Sequence, residues 1–123
     1  MIVAEYLGVE VSNTYDYDLI YHGAKIDVKT KECTSPPKDF YECSVAAYNT
    51  KQKCNAYVFT RICQDTCWIL GWMPKQSYFE KATFLKKGQI DPSNNFVVRA
   101  DCYNLPIIRL KDIDHLISIL TKA

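Results

Sequence analysis

The chain has 123 residues, a formal net charge of +1, and 48% hydrophobic, 24% charged and 13% aromatic residues. That length fits one compact domain spanning residues 1–123; the apolar content excludes a disordered chain, and the near-neutral charge excludes a general polyanion-binding tail but not a local basic patch. The longest apolar run, Cys67 to Met73, is far short of the roughly 20 residues that cross a bilayer, and the start MIVAEYLGVEV has neither the basic opening nor the long apolar stretch of a signal peptide, so no membrane partner and a cytoplasmic location are expected (host cytoplasm if a phage encodes it).

Met1 to Leu7 reads as a short helix with Gly8 as its stop. Tyr17–Tyr21 and Ala24–Thr30 read as two strands around a turn at His22-Gly23. Phe40–Ala46 reads as a third strand after the Pro36-Pro37 break, and Lys51–Asn55 as a polar loop or short helix. Tyr57–Cys63 is rich in aromatic and branched residues, as strands are. Trp68–Met73 is apolar on both faces, as a central buried strand would be, and Pro74 ends it and opens a helix through Phe79. Lys86–Asn95 reads as a polar loop and Phe96–Asp101 as a further strand. Lys111–Lys122 is a helix: Ile113, Leu116, Ile117 and Leu120 share one face, and Asp112 is placed to cap it. The order predicts a mixed α/β fold with one sheet covered by helices.

Six cysteines, Cys33, Cys43, Cys54, Cys63, Cys67 and Cys102, could form three disulfides, but that framework belongs to short secreted domains without a core. For zinc the only close pair is Cys63 and Cys67, and neither His22 nor His115 stands at finger spacing. Reduced, mostly buried thiols are the expected state.

The chemistry concentrates in YDYDLIYHGAKIDVKTKE, residues 15–32. Ala24, Ile26, Val28 and Thr30 alternate with Lys25, Asp27, Lys29 and Lys31, so Asp27 and Lys29 share a strand face, about 6.6 Å apart at the usual rise. A turn through His22-Gly23 sets Asp18 opposite Asp27, with Cβ atoms roughly 4.5–5.5 Å apart. A turn through Gly23-Ala24 sets Asp18 opposite Lys29 on the same face. A three-residue loop would drive the Asp18 carboxylate into the core, at a heavy desolvation cost. Two neighbouring carboxylates repel, and a divalent cation with hard oxygen ligands, Mg²⁺ or Mn²⁺, relieves that repulsion. A lysine beside them can contact an attacking water or the charge that grows on a phosphate.

Asp18, an eight-residue gap and then Asp27-Val28-Lys29 resemble the PD-(D/E)XK nuclease superfamily. The strand AYVFTRI, WILGWMP with its short helix, ATFLKKGQID and VVRADCYNLPIIRL resemble pieces of its small members from phage genomes. The resemblance implies a restriction-endonuclease-like fold, a mixed central β-sheet flanked by helices, and an Mg²⁺-dependent endonuclease that hydrolyses DNA phosphodiester bonds. It makes Asp18 and Asp27 metal ligands, the Val28 backbone carbonyl a further ligand, and Lys29 the catalytic lysine. The family's proline is replaced by Tyr17. The family's first-helix acidic ligand would fall to Glu5, which otherwise reads as a helix-surface residue.

Lys25, Lys31, Lys51 and Lys53 are candidate DNA phosphate contacts, each more often a solvated surface charge; Lys75, Lys81, Lys86 and Lys87 are weaker candidates of the same kind. A chain this short has little room for a sequence-reading domain, so cutting is expected to be structure-selective or weakly specific, with a homodimer serving two-strand cleavage. Two alternatives stand beside this reading: a non-catalytic nucleic-acid- or protein-binding module on the same fold, and a small zinc- or disulfide-stabilised interaction protein.

Overall fold

The computed structural model describes residues 1–92 and 95–121. Helix α1, Ile2–Leu7, is too short to persist alone and is held by burying Val3, Ala4 and Leu7. Gly8, at φ 72°, ends it. Strands β1, Leu19–Tyr21, and β2, Ala24–Glu32, form the expected hairpin. His22 and Gly23 both have positive φ, 47° and 82°, as a two-residue turn matching strand twist requires. β3 spans Glu42–Ala46 and leads through a 3-10 turn at Ala47–Lys51 to β4, Ala56–Cys63, and β5, Thr66–Pro74. Helix α2, Lys75–Lys81, is followed by β6, Thr83–Leu85, β7, Ile90–Asp91, β8, Phe96–Val97, and β9, Cys102–Pro106. A 3-10 turn at Ile107–Arg109 precedes α3, Ile113–Leu120.

The strands form a four-stranded sheet in the order β1-β2-β4-β5, a three-stranded sheet β3-β9-β6 and the two-stranded ribbon β7-β8. β2 runs parallel to β4 and the other pairs are antiparallel. The chain is therefore a mixed α/β protein with a mixed sheet. No helix among the described residues is long and apolar enough to cross a membrane.

Three sequence expectations need correction. The single helix-covered sheet is replaced by a layered arrangement. One face of the four-stranded sheet, carrying Leu19, Ile26, Val58 and Trp72, packs on α1 and α3 through Val3, Leu7, Ile113 and Leu116. The other face carries Tyr57, Phe59 and Met73, and is covered by Tyr78 of α2 and by Cys43, Val45 and Leu105 of the second sheet. Flat aromatic surface of that extent is matched by a second sheet more completely than by one short helix.

The second correction concerns β5, which ends the sheet instead of lying inside it. Its residues are apolar on both faces because Trp72 and Met73 enter opposite cores, and its outer edge is partly covered by a bridge from Trp72 to Lys111. Third, the strand expected over Phe96–Asp101 shrinks to β8, while the longer β9 begins at Cys102. The Lys86–Asn95 loop contains β7, and its residues 93 and 94 lie outside the described residues, as does Lys122 at the expected end of the last helix.

The Asp112 carboxylate accepts the Asp114 backbone N–H at 2.8 Å and caps α3. Asp112→Ala is expected to cost about 1 kcal/mol, read as a lower urea midpoint at unchanged slope; an unchanged midpoint would count against the cap.

Candidate active site

The hairpin register decides which side chains meet. Leu19 pairs with Ile26, Ile20 with Lys25 and Tyr21 with Ala24, the register of a turn through His22-Gly23; the pairing stops at Leu19, one residue short of Asp18. β1 has ended there, and the Asp18 carboxylate takes over the ladder: its Oδ2 accepts the Val28 N–H at 2.7 Å, while the Asp18 N–H donates to the Ile26 carbonyl at 2.9 Å. Backbone groups of one strand residue point to the same side in a parallel pairing, so the Val28 carbonyl also faces the β1 edge, beside Asp18.

Asp27 is 4% exposed. Lys29 Nζ lies 2.8 Å from Asp27 Oδ2, but not at a hydrogen-bonding angle, so that buried oxygen has an ion-pair partner and no formed hydrogen bond. The Lys29 ammonium is steered from two other sides: it donates to Gln52 Oε1 at 3.0 Å and lies 5.6 Å from the centre of the Tyr57 ring. Gln52 Nε2 in turn donates to the Tyr15 carbonyl at 2.7 Å. Lys75 Nζ donates to the Thr50 carbonyl at 2.9 Å and to the Gln52 carbonyl, fixing the segment that carries Gln52.

Burial raises the Asp27 carboxyl to about 6; the Lys29 ammonium pulls against that rise, and the charge of Asp18 and its side-chain hydrogen bond add to it. Asp27 thus holds its proton to a higher pH than an ordinary carboxyl. Burial also raises the thiol of Cys54, which stands near Asp27, and the Tyr57 hydroxyl, which stands near Cys54.

This has a consequence for stability. In the metal-free chain the folded Asp27 titrates near 6 and the unfolded one near 3.8, so the folded state holds the extra proton between those values. Stability is expected to fall as pH rises from about 4 to about 6, by on the order of 1–2 kcal/mol. Urea unfolding in EDTA across that range checks this, and Asp27→Asn should flatten the slope.

The structure brings Asp18, Asp27, Lys29 and the Val28 carbonyl to one place. It does not bring Glu5 there. Glu5 is exposed on α1, which covers the Ile26–Val58 face, whereas Asp27 and Lys29 project from the Tyr57 face. Lys25 and Lys31 share the Asp27 face by strand alternation and are exposed, Lys25 with its Nζ 5.5 Å from the Tyr17 ring centre. Lys51 and Lys53 are exposed on the segment before β4; the Lys53 backbone N–H donates to Asp16 Oδ1 at 2.9 Å. Gln52 and Tyr57 are missing from the sequence reading. No local signal marks Gln52: it stands among polar Lys51, Lys53 and Asn55, and only the fold buries Gln52 and Cys54 while leaving those neighbours exposed.

The six cysteines are free thiols, Cys43 and Cys54 buried and the others partly so. Burial pushes the Cys43 thiol up to about 12.

Among the described residues no group of three or more His, Cys, Asp and Glu side chains is placed to hold a metal. Mg²⁺ ordinarily takes only one or two protein carboxylates and keeps several waters. The Asp18–Asp27 pair, with a buried oxygen that has no formed hydrogen bond and with two like charges to be balanced, fits such an ion. In comparisons with known proteins, no family model matches the chain and no curated protein matches it.

Proposed function

We propose that this protein is an Mg²⁺-dependent deoxyribonuclease, with Mn²⁺ an alternative ion, on a restriction-endonuclease-like arrangement of its mixed sheet. The observation that carries the reading is the meeting of Asp18, Asp27 and Lys29 on one face of a hairpin, as the PD-(D/E)XK resemblance implies. Asp18 and Asp27 would hold the cation, with the Val28 carbonyl beside them. When bound, such a cation polarises the scissile phosphate and acidifies water in its shell. The side chains do the rest. Asp27 would share its carboxylate between the cation and Lys29, which lies 2.8 Å from its Oδ2. Lys29, aimed by Gln52 and Tyr57, stabilises the charge that develops on the phosphate. Lys25 and Lys31, flanking on the same face, supply sequence-independent contacts to neighbouring phosphates.

A second reading, a DNA- or protein-binding module without catalysis, is favoured by one observation: Glu5, the first-helix carboxylate, sits on the helix that covers the opposite face. Labelled single-stranded, duplex and branched DNA incubated with the protein and Mg²⁺ or Mn²⁺ separates the two. Metal-dependent cleavage that EDTA stops supports the nuclease. Binding without cleavage under every condition supports the module and overturns the nuclease.

A further inference from the structure

A cavity of about 230 Å³ opens directly beside Lys29, between β2–β4 and β3. Its walls are of two kinds. Phe59, Leu70 and Cys43 supply apolar surface, while Lys29 and Lys31 bring cations from the strand that carries Asp27, and Arg61 of β4, whose guanidinium donates to Ser35, lines it as well. Glu42, on β3, lines the same space, and its Oε2 is buried with no hydrogen-bond partner. Ser44 of β3 and residues 30 and 60 of the paired strands also border the space. Lys31, Glu42 and Ser44 also line a second cavity of about 150 Å³, whose other walls include Phe96 and Arg99.

A slot with apolar walls, a buried acceptor and two ammonium groups beside the proposed phosphate site has the attributes of a nucleotide pocket. Extruded bases are held by apolar or aromatic walls and read by hydrogen bonds at their edges, while their phosphates are met by lysines. A stacked and paired base presents neither its faces nor its pairing edge to such a slot. Resting on the nuclease reading above, we propose that this cavity takes the unpaired base of a nucleotide adjoining the scissile phosphate, with Glu42 accepting one of its N–H groups, and that the substrate is therefore single-stranded or frayed DNA.

The test uses the full chain carrying Asp27→Asn, in EDTA, so that nothing is cut, with fluorescence anisotropy of a labelled mixed-sequence 12-mer single strand and of the same sequence as a blunt duplex. The single strand is expected to bind at least about tenfold tighter. Ser44→Tyr, which puts a bulky side chain at a position lining both cavities, is expected to remove that preference. Glu42→Leu, which keeps size but loses the acceptor, should weaken single-strand binding severalfold and serves if the bulkier change unfolds the protein. Equal affinity for the two forms, or a preference that survives both substitutions, overturns the pocket. Metal-dependent cleavage by the unsubstituted chain is measured alongside: cleavage with no such preference overturns the pocket alone, and a chain that neither cuts nor binds any DNA overturns the nuclease reading with it.

Discussion

Replacing Asp27 by alanine is expected to abolish metal-dependent DNA cleavage, with a loss of at least about 10³-fold, and Lys29→Ala to lower it by about 10² to 10³, the range seen when one transition-state donor is removed. The two losses should not add in the double variant, because each disables the same centre. The structure also separates this effect from misfolding. Asp27 is buried beside a second carboxyl, and its raised pKa means that its charge opposes folding at neutral pH. Asp27→Asn removes that charge at nearly constant shape. It should therefore leave the metal-free protein as stable as before or more stable at pH 7, while cleavage disappears. Rates on labelled DNA paired with urea unfolding would show both. An Asp27→Asn protein that still cuts at the original rate would contradict the assignment.

The largest expected effect on stability lies away from the site, at Gly71. This residue has φ 147°, and a Cβ there would stand 2.6 Å from the Lys111 carbonyl oxygen and 2.8 Å from the Leu110 Cβ. Both the strained backbone and the contact with main chain penalise any side chain. The crowding is the counterpart of the adjacent bridge, in which Trp72 N–H donates to the Lys111 carbonyl at 2.8 Å and Lys111 N–H to the Trp72 carbonyl at 3.0 Å. Gly71→Ala should force this edge apart, loosen α3 from the sheet and cost about 3 kcal/mol. A urea midpoint close to that of the unsubstituted chain would show that the edge can yield without loss.

The hairpin was legible because three local rules agreed. His22-Gly23 is a turn dipeptide, Ile26 and Val28 alternate with charged residues, and only an even register keeps Asp18 out of the core. Those rules also fixed the face shared by Asp27 and Lys29. The caps of α1 and α3 were legible for the same reason, since Gly8 and Asp112 act within one turn. What escaped depends on partners distant in sequence. β9 contains Asn104 and ends in Pro106, a poor strand composition. It forms because β3 and β6 pair with it on both sides, and because Ser44 Oγ, 2.5 Å from Asn104 Oδ1, and Asp91 satisfy the buried Asn104. Val97 and Val98 drew the strand expectation a few residues early, but Val97 is exposed and pairs only within the short β7–β8 ribbon. Gln52 escaped because its role comes from Lys29 on another strand, which local sequence does not display. Glu5 was placed by analogy with a helix ligand; its neighbours Val3, Ala4 and Leu7 decide instead which face α1 covers.

The central claim is that Asp18 and Asp27 together grip one divalent ion, and titration of the metal-free protein with Mn²⁺, followed by the loss of the free-ion paramagnetic resonance signal at pH 7.5, tests it most directly. The account predicts one bound ion per chain, competed by Mg²⁺ and lost in both Asp18→Ala and Asp27→Ala. No binding at millimolar Mn²⁺, or binding that both substitutions leave intact, would contradict it.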